Sequence, residues 1–304
     1  MAHVPPTSAS SIARFLQVPL CGEDLTVDQV NSLATAGPGA LVFLQKYSEA
    51  QGQALNRLRG IFVLADPTSV GLLTCSHVVV ADPRLAFARV AQRFFEPPAP
   101  QGIAPTAQVS PEARIGRHVS IGHFTVIDAD VEIGDDTEIA DHVVIRSRTR
   151  IGKRGVIRSH AVIGESGFGF DFDEQVPVRI PHFGGVILGD DVQIGCGTII
   201  SCATLDDTVI EDHVKIDNLV VVAHNCFIGR GTIVTGGAVL CGRARIGSHA
   251  WIGANSTIRE GGVQVGEGAL VGLGAVVLAS IEPRHVAMGN PARVLRKRGD
   301  NEEF

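Results

Sequence analysis

An aliphatic side chain recurs every six residues along most of the chain from Ile103 onward. A first unbroken run of such positions ends at Ile163, and a second run extends from Ile210 to Ile258 before a shift of one residue. Neither an α-helix nor an ordinary β-strand has this period, because their side chains recur every 3.6 and 2 residues. The repeat therefore predicts a parallel β-helix, in which each hexad is a short strand plus a corner and every third hexad stacks on the first.

Glycine often follows the repeated aliphatic residue, as in IGRHVS, IGHFTV and IGDDTE. We expect these glycines to supply the backbone freedom that the corners require. The composition agrees with a narrow, stacked core, since the chain has 35 glycines and only 5% aromatic residues.

The period is interrupted twice and is absent from the first third of the chain. The first interruption carries four phenylalanines and is interpreted as an extruded loop, and the second, at 201–209, is shorter. In the first third, SIARFLQ and DPRLAFARVAQRFF have helical spacing, whereas ALVFL, IFVLA and HVVVA are typical of short buried strands. The predicted organisation is a small α/β domain at 1–97, a linker at 98–102, a β-helix domain at 103–285 with the extruded loop at 164–185, and a short basic tail at 286–304.

Charge and composition exclude several classes of protein. The formal charge of −6 argues against a nucleic-acid groove, which usually needs a basic face. The N-terminus lacks the pattern of a secretory signal, and no apolar run approaches the ~20 residues of a transmembrane helix. The six cysteines form no CxxC pair, so we expect reduced thiols in a cytoplasmic protein.

Most histidines of the repeat region occupy one recurring corner position. Five of them lie three residues after an inward aliphatic, and we expect these to be exposed: His118, His142, His160, His213 and His249. His142 and His160 are 18 residues apart and are predicted to stack. His118 and His123 have a spacing that could suit zinc, but no third histidine accompanies them. Because three ligands are the usual minimum for a catalytic zinc, we predict no metal site.

His224, in IDNLVVVAHNCFIG, is the strongest candidate for catalysis. Asp217 and Asn218 lie one hexad earlier, Asn225 follows directly, and Gly242 is 18 residues further along. A histidine base beside a backbone N–H would suit acyl transfer, where each contributes roughly 10²-fold or more to the rate. From spacing alone, a structural corner histidine remains an equal alternative.

The hexads, together with VAHN, GNPAR and the preceding α/β domain, resemble the hexapeptide acyltransferases. More narrowly, DPRLAFARVAQRFF, IAPTAQV, RIPHFGGVILGDDVQIG and TLDDTVIEDHVKIDN are similar to UDP-3-O-acylglucosamine N-acyltransferases of lipid A synthesis. The resemblance implies a left-handed parallel β-helix and a homotrimer with active sites between neighbouring subunits. It implies acyl transfer to the amine of a UDP-linked amino sugar from 3-hydroxyacyl-ACP (acyl carrier protein), with no tightly bound cofactor.

The resemblance also implies roles for particular residues near the sugar. His224 would take the proton from the amine, and the backbone N–H of Gly242 would face the oxyanion. Asp217 and Asn218 match positions beside the substrate.

The remaining implied residues would bind the two ends of the substrates. Phe43 and Tyr47 in LVFLQKYSEA would clamp the uracil ring. Phe168, Phe170, Asn290 and Arg293 are the candidate donor-binding residues, with the basic cluster around Arg293 suited to phosphates or to an acidic carrier protein.

Several departures from the family pattern keep alternatives open. A second family histidine has no counterpart at Gly261–Val263, and Ser201 and Cys202 replace an acidic–arginine pair. Few residues follow GNPAR. The first alternative is an acetyl-CoA-dependent N-acetyltransferase that acts on a nucleotide-linked amino sugar. The second is a non-catalytic solenoid scaffold.

Overall fold

The computed structural model describes residues 5–97, 101–299 and 302. The chain divides into two compact units, Met1–Pro98 and Ala99–Phe304. The linker predicted at 98–102 therefore lies partly outside the described residues, as do the last residues of the predicted tail.

The first unit is built on a four-stranded parallel sheet. In sheet order its strands are Gln29–Val30, Ala40–Leu44, Phe62–Ala65 and Ser76–Val79. Three of these strands lie within two residues of the segments ALVFL, IFVLA and HVVVA. Alternate side chains of the second strand enter opposite cores, Leu41 and Phe43 on one face and Val42 and Leu44 on the other.

Helices flank this sheet and begin at residues that cap them. The Ser8, Ser48 and Asp82 side chains each accept a hydrogen bond from the first turn of a helix. The helix that follows Ser48 is absent from the predictions because its sequence, EAQGQALNR, is too polar to show a helical apolar pattern. The other elements of the unit are the α-helices Ala9–Leu16, Glu49–Arg57 and Pro83–Val90, the 3₁₀ turn Pro67–Ser69, the π-helical turn Ala91–Phe95, and the antiparallel pair Thr7–Ser8 and Thr26–Val27.

The second unit is a parallel β-helix with three faces. The strands of the first face are Gly102–Ile103, Ser120–Ile121, Glu138–Ile139, Val156–Ile157, Gln193–Ile194, Lys215–Ile216, Ile233–Val234, Trp251–Ile252, Leu270–Val271, His285–Met288 and Arg293–Lys297. Those of the second face are Gln108–Val109, Val126–Ile127, Val144–Ile145, Val162–Glu165, Ile199–Ser201, Val221–Val222, Val239–Leu240, Thr257–Ile258 and Val276–Val277. Those of the third face are Arg114–Ile115, Glu132–Ile133, Thr149–Ile151, Gly185–Leu188, Asp207–Ile210, Phe227–Ile228, Arg245–Ile246 and Gln264–Val265.

The repeated aliphatic residues stack in register along each face and form the core. Ile121, for example, pairs with Ile103 on one side and with Ile139 on the other. Across the extruded loop the same register connects Ile151 to Leu188, and across the second interruption it connects Leu188 to Ile210. The loop thus leaves the stack and rejoins it without changing which side chains face inward.

The role of glycine at the corners differs from the one expected. The left-handed backbone conformation occurs three residues after the inward aliphatic, mostly at residues other than glycine, such as His118 and His142 with φ near 60°. The glycine directly after the aliphatic has no positive φ at most corners. It is required because the next coil is too close for a side chain: a Cβ at Gly152 would lie 2.5 Å from the carbonyl carbon of Gly189.

The five corner histidines are exposed, as predicted. The rings of His142 and His160 stack with centroids 4.9 Å apart and planes inclined by 5°. Their position is explained by the corner conformation, which small polar and imidazole side chains tolerate better than β-branched ones do.

Two hairpins extend the regular stack. The extruded loop contains the antiparallel strands Phe170–Asp173 and Val176–Arg179, both fully exposed. At the end of the chain, His285–Met288 pairs in parallel with the last coil and in antiparallel with Arg293–Lys297. The basic cluster predicted in the tail therefore lies on a strand.

The close approach of the coils makes a direct prediction for the substitution Gly152→Ala. The added methyl must push two backbones apart, and we expect a loss of about 1–3 kcal/mol in the free energy of unfolding. Urea denaturation followed by circular dichroism measures this change. Gly37→Ala is the matched control, because a Cβ there meets nothing within 4 Å. An equal midpoint for Gly152→Ala and the unsubstituted chain would contradict the steric explanation.

Candidate active site

The corner that follows strand Val221–Val222 carries the site. His224 is half-buried and lies two residues after the inward Val222. Asn225 occupies the left-handed corner position, with φ of 60°. Its backbone N–H donates to the Thr208 hydroxyl at 3.0 Å, which ties the corner to the neighbouring coil.

The amide of Asn225 determines the tautomer of His224. Nδ1 of His224 lies 3.0 Å from Oδ1 of Asn225, and the same oxygen accepts from the backbone N–H of Thr204 at 3.2 Å. Because a backbone N–H can only donate, the amide atom that faces it is the oxygen. Nδ1 of His224 therefore carries the hydrogen, and Nε2 keeps the lone pair that a general base needs.

Gly242 lies against the edge of the His224 ring that carries Nε2. A Cβ at Gly242 would lie 2.8 Å from both Cε1 and Nε2 of His224, so any larger residue would displace the imidazole. The corresponding N–H groups of Cys196 and Gly236 donate to side-chain oxygens of adjacent coils. Within the described part of the chain, the N–H of Gly242 meets no such acceptor. This N–H is therefore not committed to another group of the described chain.

A second imidazole, His182, lies against the first. It follows the hairpin of the extruded loop and is only 6% exposed. The rings of His182 and His224 meet edge to face, with centroids 5.4 Å apart. Nδ1 of His182 donates to the carbonyl of Ile180 at 3.1 Å, whereas Nε2 is buried and has no partner among the described residues.

Burial lowers the pKa of His182 below its usual value. The bond to the Ile180 carbonyl opposes this shift, and the charges of His224 and Arg179 add to it. Burial therefore favours the neutral form of His182. Its place beside His224 was not predicted, since it lies where the six-residue period is lost. The only signal in the sequence is a histidine within the motif RIPHFGG.

A glycine covers both rings. A Cβ at Gly167 would lie 2.7 Å from Nε2 of His182 and 2.8 Å from Cβ of His224. Its φ is not positive, so the glycine is needed for space alone. The neighbouring Phe168 is 89% exposed, and its ring lies 4.8 Å from that of Phe170. Two of the predicted donor-binding residues therefore follow, in the chain, the glycine that covers the candidate base.

The other two predicted donor-binding residues are remote from His224. Asn290 and Arg293 are exposed in the terminal hairpin, which stacks four strands beyond Lys215–Ile216 on the first face. At the usual strand spacing this is roughly 19 Å along the β-helix axis. A donor that touches both places must extend over that length.

Asp217 and Asn218 lie in the coil of His224 but at the preceding corner. Asp217 accepts from the N–H groups of Asn218 and Gly236, and Asn218 accepts from that of Cys196. Both line a cleft of about 340 Å³ with Arg158. One strand separates them from His224, so the chain alone does not bring them to the base.

In the first unit, the structure does not form the predicted aromatic clamp. The ring centroids of Phe43 and Phe87 are 4.9 Å apart. Phe43 also lines a cleft of about 580 Å³. Tyr47 instead packs on Gly52 and belongs to the core on the opposite face of the sheet. The reason is the strand itself, which ends at Leu44 and sends the chain toward the next helix.

No cluster of three or more His, Cys, Asp or Glu among the described residues could hold a metal ion. All six cysteines are free, and burial raises the pKa of Cys226 to about 12. Across the same residues, none of the helices has the length and apolarity needed to cross a membrane.

Comparison with known proteins agrees with this architecture. The family model of the bacterial transferase hexapeptide (six repeats) matches residues 112–147. UDP-3-O-acylglucosamine N-acyltransferase of Pseudomonas syringae pv. tomato is 36% identical over 210 residues, which cover 62% of this chain and 59% of that protein. The Coxiella burnetii protein of the same name is 35% identical over 199 residues, covering 58% and 57%. The chain thus matches less than two thirds of the length of these relatives.

Solved structures support the handedness of the fold. UDP-N-acetylglucosamine acyltransferases from Campylobacter jejuni and Francisella novicida superpose with TM-scores of 0.58 and 0.60, both at 25% identity. The matches cover 64% of this chain and 75% and 70% of those proteins. The predicted left-handed parallel β-helix and the resemblance to hexapeptide acyltransferases are confirmed.

The hydrogen bond from His224 to Asn225 leads to a prediction about the tautomer. Asn225→Gly keeps the left-handed corner but removes the acceptor for Nδ1–H. We expect His224 to change from a single Nδ1–H tautomer to a mixture, as measured by NMR of ¹⁵N-labelled histidine. Asn255→Gly is the control, since Asn255 has the same corner conformation two coils away. A single unchanged tautomer in Asn225→Gly would contradict the assignment.

Proposed function

We propose that this hexapeptide-repeat chain is an N-acyltransferase that moves an acyl group from a thioester carrier to the amine of a UDP-linked amino sugar. The observation that carries the proposal is that a lone-pair nitrogen, Nε2 of His224, lies against Gly242, whose N–H has no acceptor among the described residues. The similarity to UDP-3-O-acylglucosamine N-acyltransferases selects this reaction among those that a base and an oxyanion donor could perform.

In the proposed reaction, the amine nitrogen attacks the thioester carbonyl carbon while Nε2 of His224 takes one of its protons. The N–C bond forms, and the carbonyl oxygen becomes an oxyanion that accepts from the N–H of Gly242. The C–S bond then breaks, and the thiolate leaves with the proton that His224 returns. Nδ1–H donates to Asn225 throughout, which stabilises the imidazolium while it exists.

For the donor, we propose 3-hydroxyacyl-ACP. Phe168 and Phe170 are exposed and in contact with each other in the segment that begins with Gly167, which covers His224, and such an apolar pair would suit a long acyl chain. The remote Asn290 and Arg293 would then contact the carrier rather than the acyl group. Such a donor would place the reaction in the cytoplasm. Acetyl-CoA is the competing donor, and it would leave the two phenylalanines without a role.

For the acceptor, we propose that the uridine occupies the cleft lined by Phe43 in the first unit. The cleft also exposes Gln45, Lys46 and Gln51, which could donate to the uracil and the phosphates. Tyr47 would complete a clamp only by leaving its place on Gly52. Asp217 and Asn218 would reach the sugar from the corner of a second subunit in a homotrimer.

The role of His224 is tested by His224→Ala. We expect kcat with UDP-3-O-acylglucosamine and 3-hydroxyacyl-ACP to fall by about 10²–10⁴-fold, because the base is lost. The product is measured by mass spectrometry. His249→Ala, at an exposed corner, should retain full activity. Equal turnover in both variants would refute the proposed base, and acylation from acetyl-CoA alone would refute the proposed donor.

The nucleotide site is tested by Phe43→Leu. Replacing the ring removes aromatic stacking worth about 0.5–1.5 kcal/mol, so we expect UDP to bind about two- to tenfold more weakly. Calorimetric titration measures the affinity. Phe15→Leu is the control, since Phe15 is another aromatic residue of this unit and packs on Phe94 away from the cleft. Unchanged UDP affinity in Phe43→Leu would place the nucleotide elsewhere.

A further inference from the structure

We propose that His182 is a positioning residue for His224, an uncharged imidazole that holds the ring of the base without competing for its proton. This inference rests on the proposed function. It assigns a catalytic consequence to the extruded loop, since His182 lies just beyond the hairpin of that loop.

Four neighbouring residues hold the ring of His224 from different directions. Asn225 holds Nδ1 through a hydrogen bond, and Gly242 abuts the edge that carries Nε2. His182 meets the ring edge to face, and Gly167 lies over its Cβ and Cδ2 atoms. The next residue in the chain supplies the first contact, the neighbouring coil supplies the second, and the loop supplies the other two. Without the loop, the ring could rotate away from Gly242.

His182 itself has a fixed orientation. Its Nδ1–H is committed to the carbonyl of Ile180, and a Cβ at Gly169 would lie 3.0 Å from its Cε1. The covering segment is attached to the β-helix in turn. The N–H of Cys202 donates to the carbonyl of Glu165 at 2.9 Å, and the N–H of Phe183, next to His182, donates to the carbonyl of Thr204 at 2.8 Å. The position of His182 is therefore set by the β-helix.

The two histidines also differ in how readily they can carry a positive charge. Nε2 of His182 is buried under Gly167 and has no acceptor nearby among the described residues. Protonation would create a buried N–H⁺ without a partner, which is far more costly than an unpaired neutral nitrogen. His224 is half-exposed and its Nε2 can reach a substrate. Burial thus disfavours a proton on His182, and Nε2 of His224 is the nitrogen that remains open to a substrate.

A double-mutant cycle tests the inference. We expect His182→Ala to lower kcat by about 10–100-fold, because a small misplacement of a catalytic group has that effect, while KM for either substrate changes less than threefold. In the His224→Ala background the same change should lower the residual rate by less than twofold, since His182 acts through His224. His118→Ala is the matched control at an exposed corner. An undiminished effect of His182→Ala in the absence of His224 would overturn the proposal.

A measurement independent of activity accompanies the cycle. In ¹⁵N-histidine NMR spectra, His182→Ala should shift the ring-nitrogen resonances of His224, because the ring contact is lost, and His118→Ala should leave them unchanged. Should His182→Ala fail to fold by circular dichroism, His182→Asn retains a donor for the Ile180 carbonyl and replaces it. An unchanged His224 signal would overturn the positioning role. If no donor is turned over by the unsubstituted chain, the acyltransferase proposal fails, whereas the NMR result still decides the role of His182.

Discussion

The spacing of the coils governs the rest of this structure. Parallel strands stack about 4.8 Å apart, and at each corner the backbone of one coil lies directly on the next. A Cβ at Gly253 would lie 2.6 Å from the carbonyl carbon of Gly272, so the residue after the inward aliphatic is glycine wherever the stack is tightest. The same spacing brings Gly242 onto the ring of His224. The steric rule that builds the β-helix therefore also places the residue Gly242 against the candidate base.

The site departs from this regularity where the chain leaves the stack. Oδ1 of Asn225 accepts from Thr204, a residue of the second interruption, as well as from His224. His182 follows the hairpin of the first interruption. Both interruptions thus return polar groups to one corner, whereas the histidine of a regular corner, such as His249, is exposed. A repeated scaffold gains one unique position in this way.

The sequence predicts the contacts between residues that are separated by a constant number of positions in the repeat. The stacking of His142 on His160 and the approach of Gly242 to His224 both follow from 18-residue spacing. His182 could not be found in this way, since no offset relates a loop residue to the corner that it covers. The expectation for corner glycines was wrong because it placed two requirements, a left-handed backbone and room for the next coil, at the same corner position. The structure separates them, with positive φ at residues such as Asn225 and close approach at residues such as Gly152. The clamp of Phe43 and Tyr47 depends on where a strand ends, which sequence patterns locate poorly.

The triangular cross-section limits what one chain can contribute to a substrate. Asp217 and Asn218 lie at one corner of a coil, and His224 lies at the next corner of the same coil. A prism presents its corners outward in different directions, so a ligand at one corner cannot also touch the other. A second copy packed alongside would bring its own corners near those of the first. If all three residues contact one sugar, the site requires a second subunit, and its proposed location between subunits follows from the shape of the repeat.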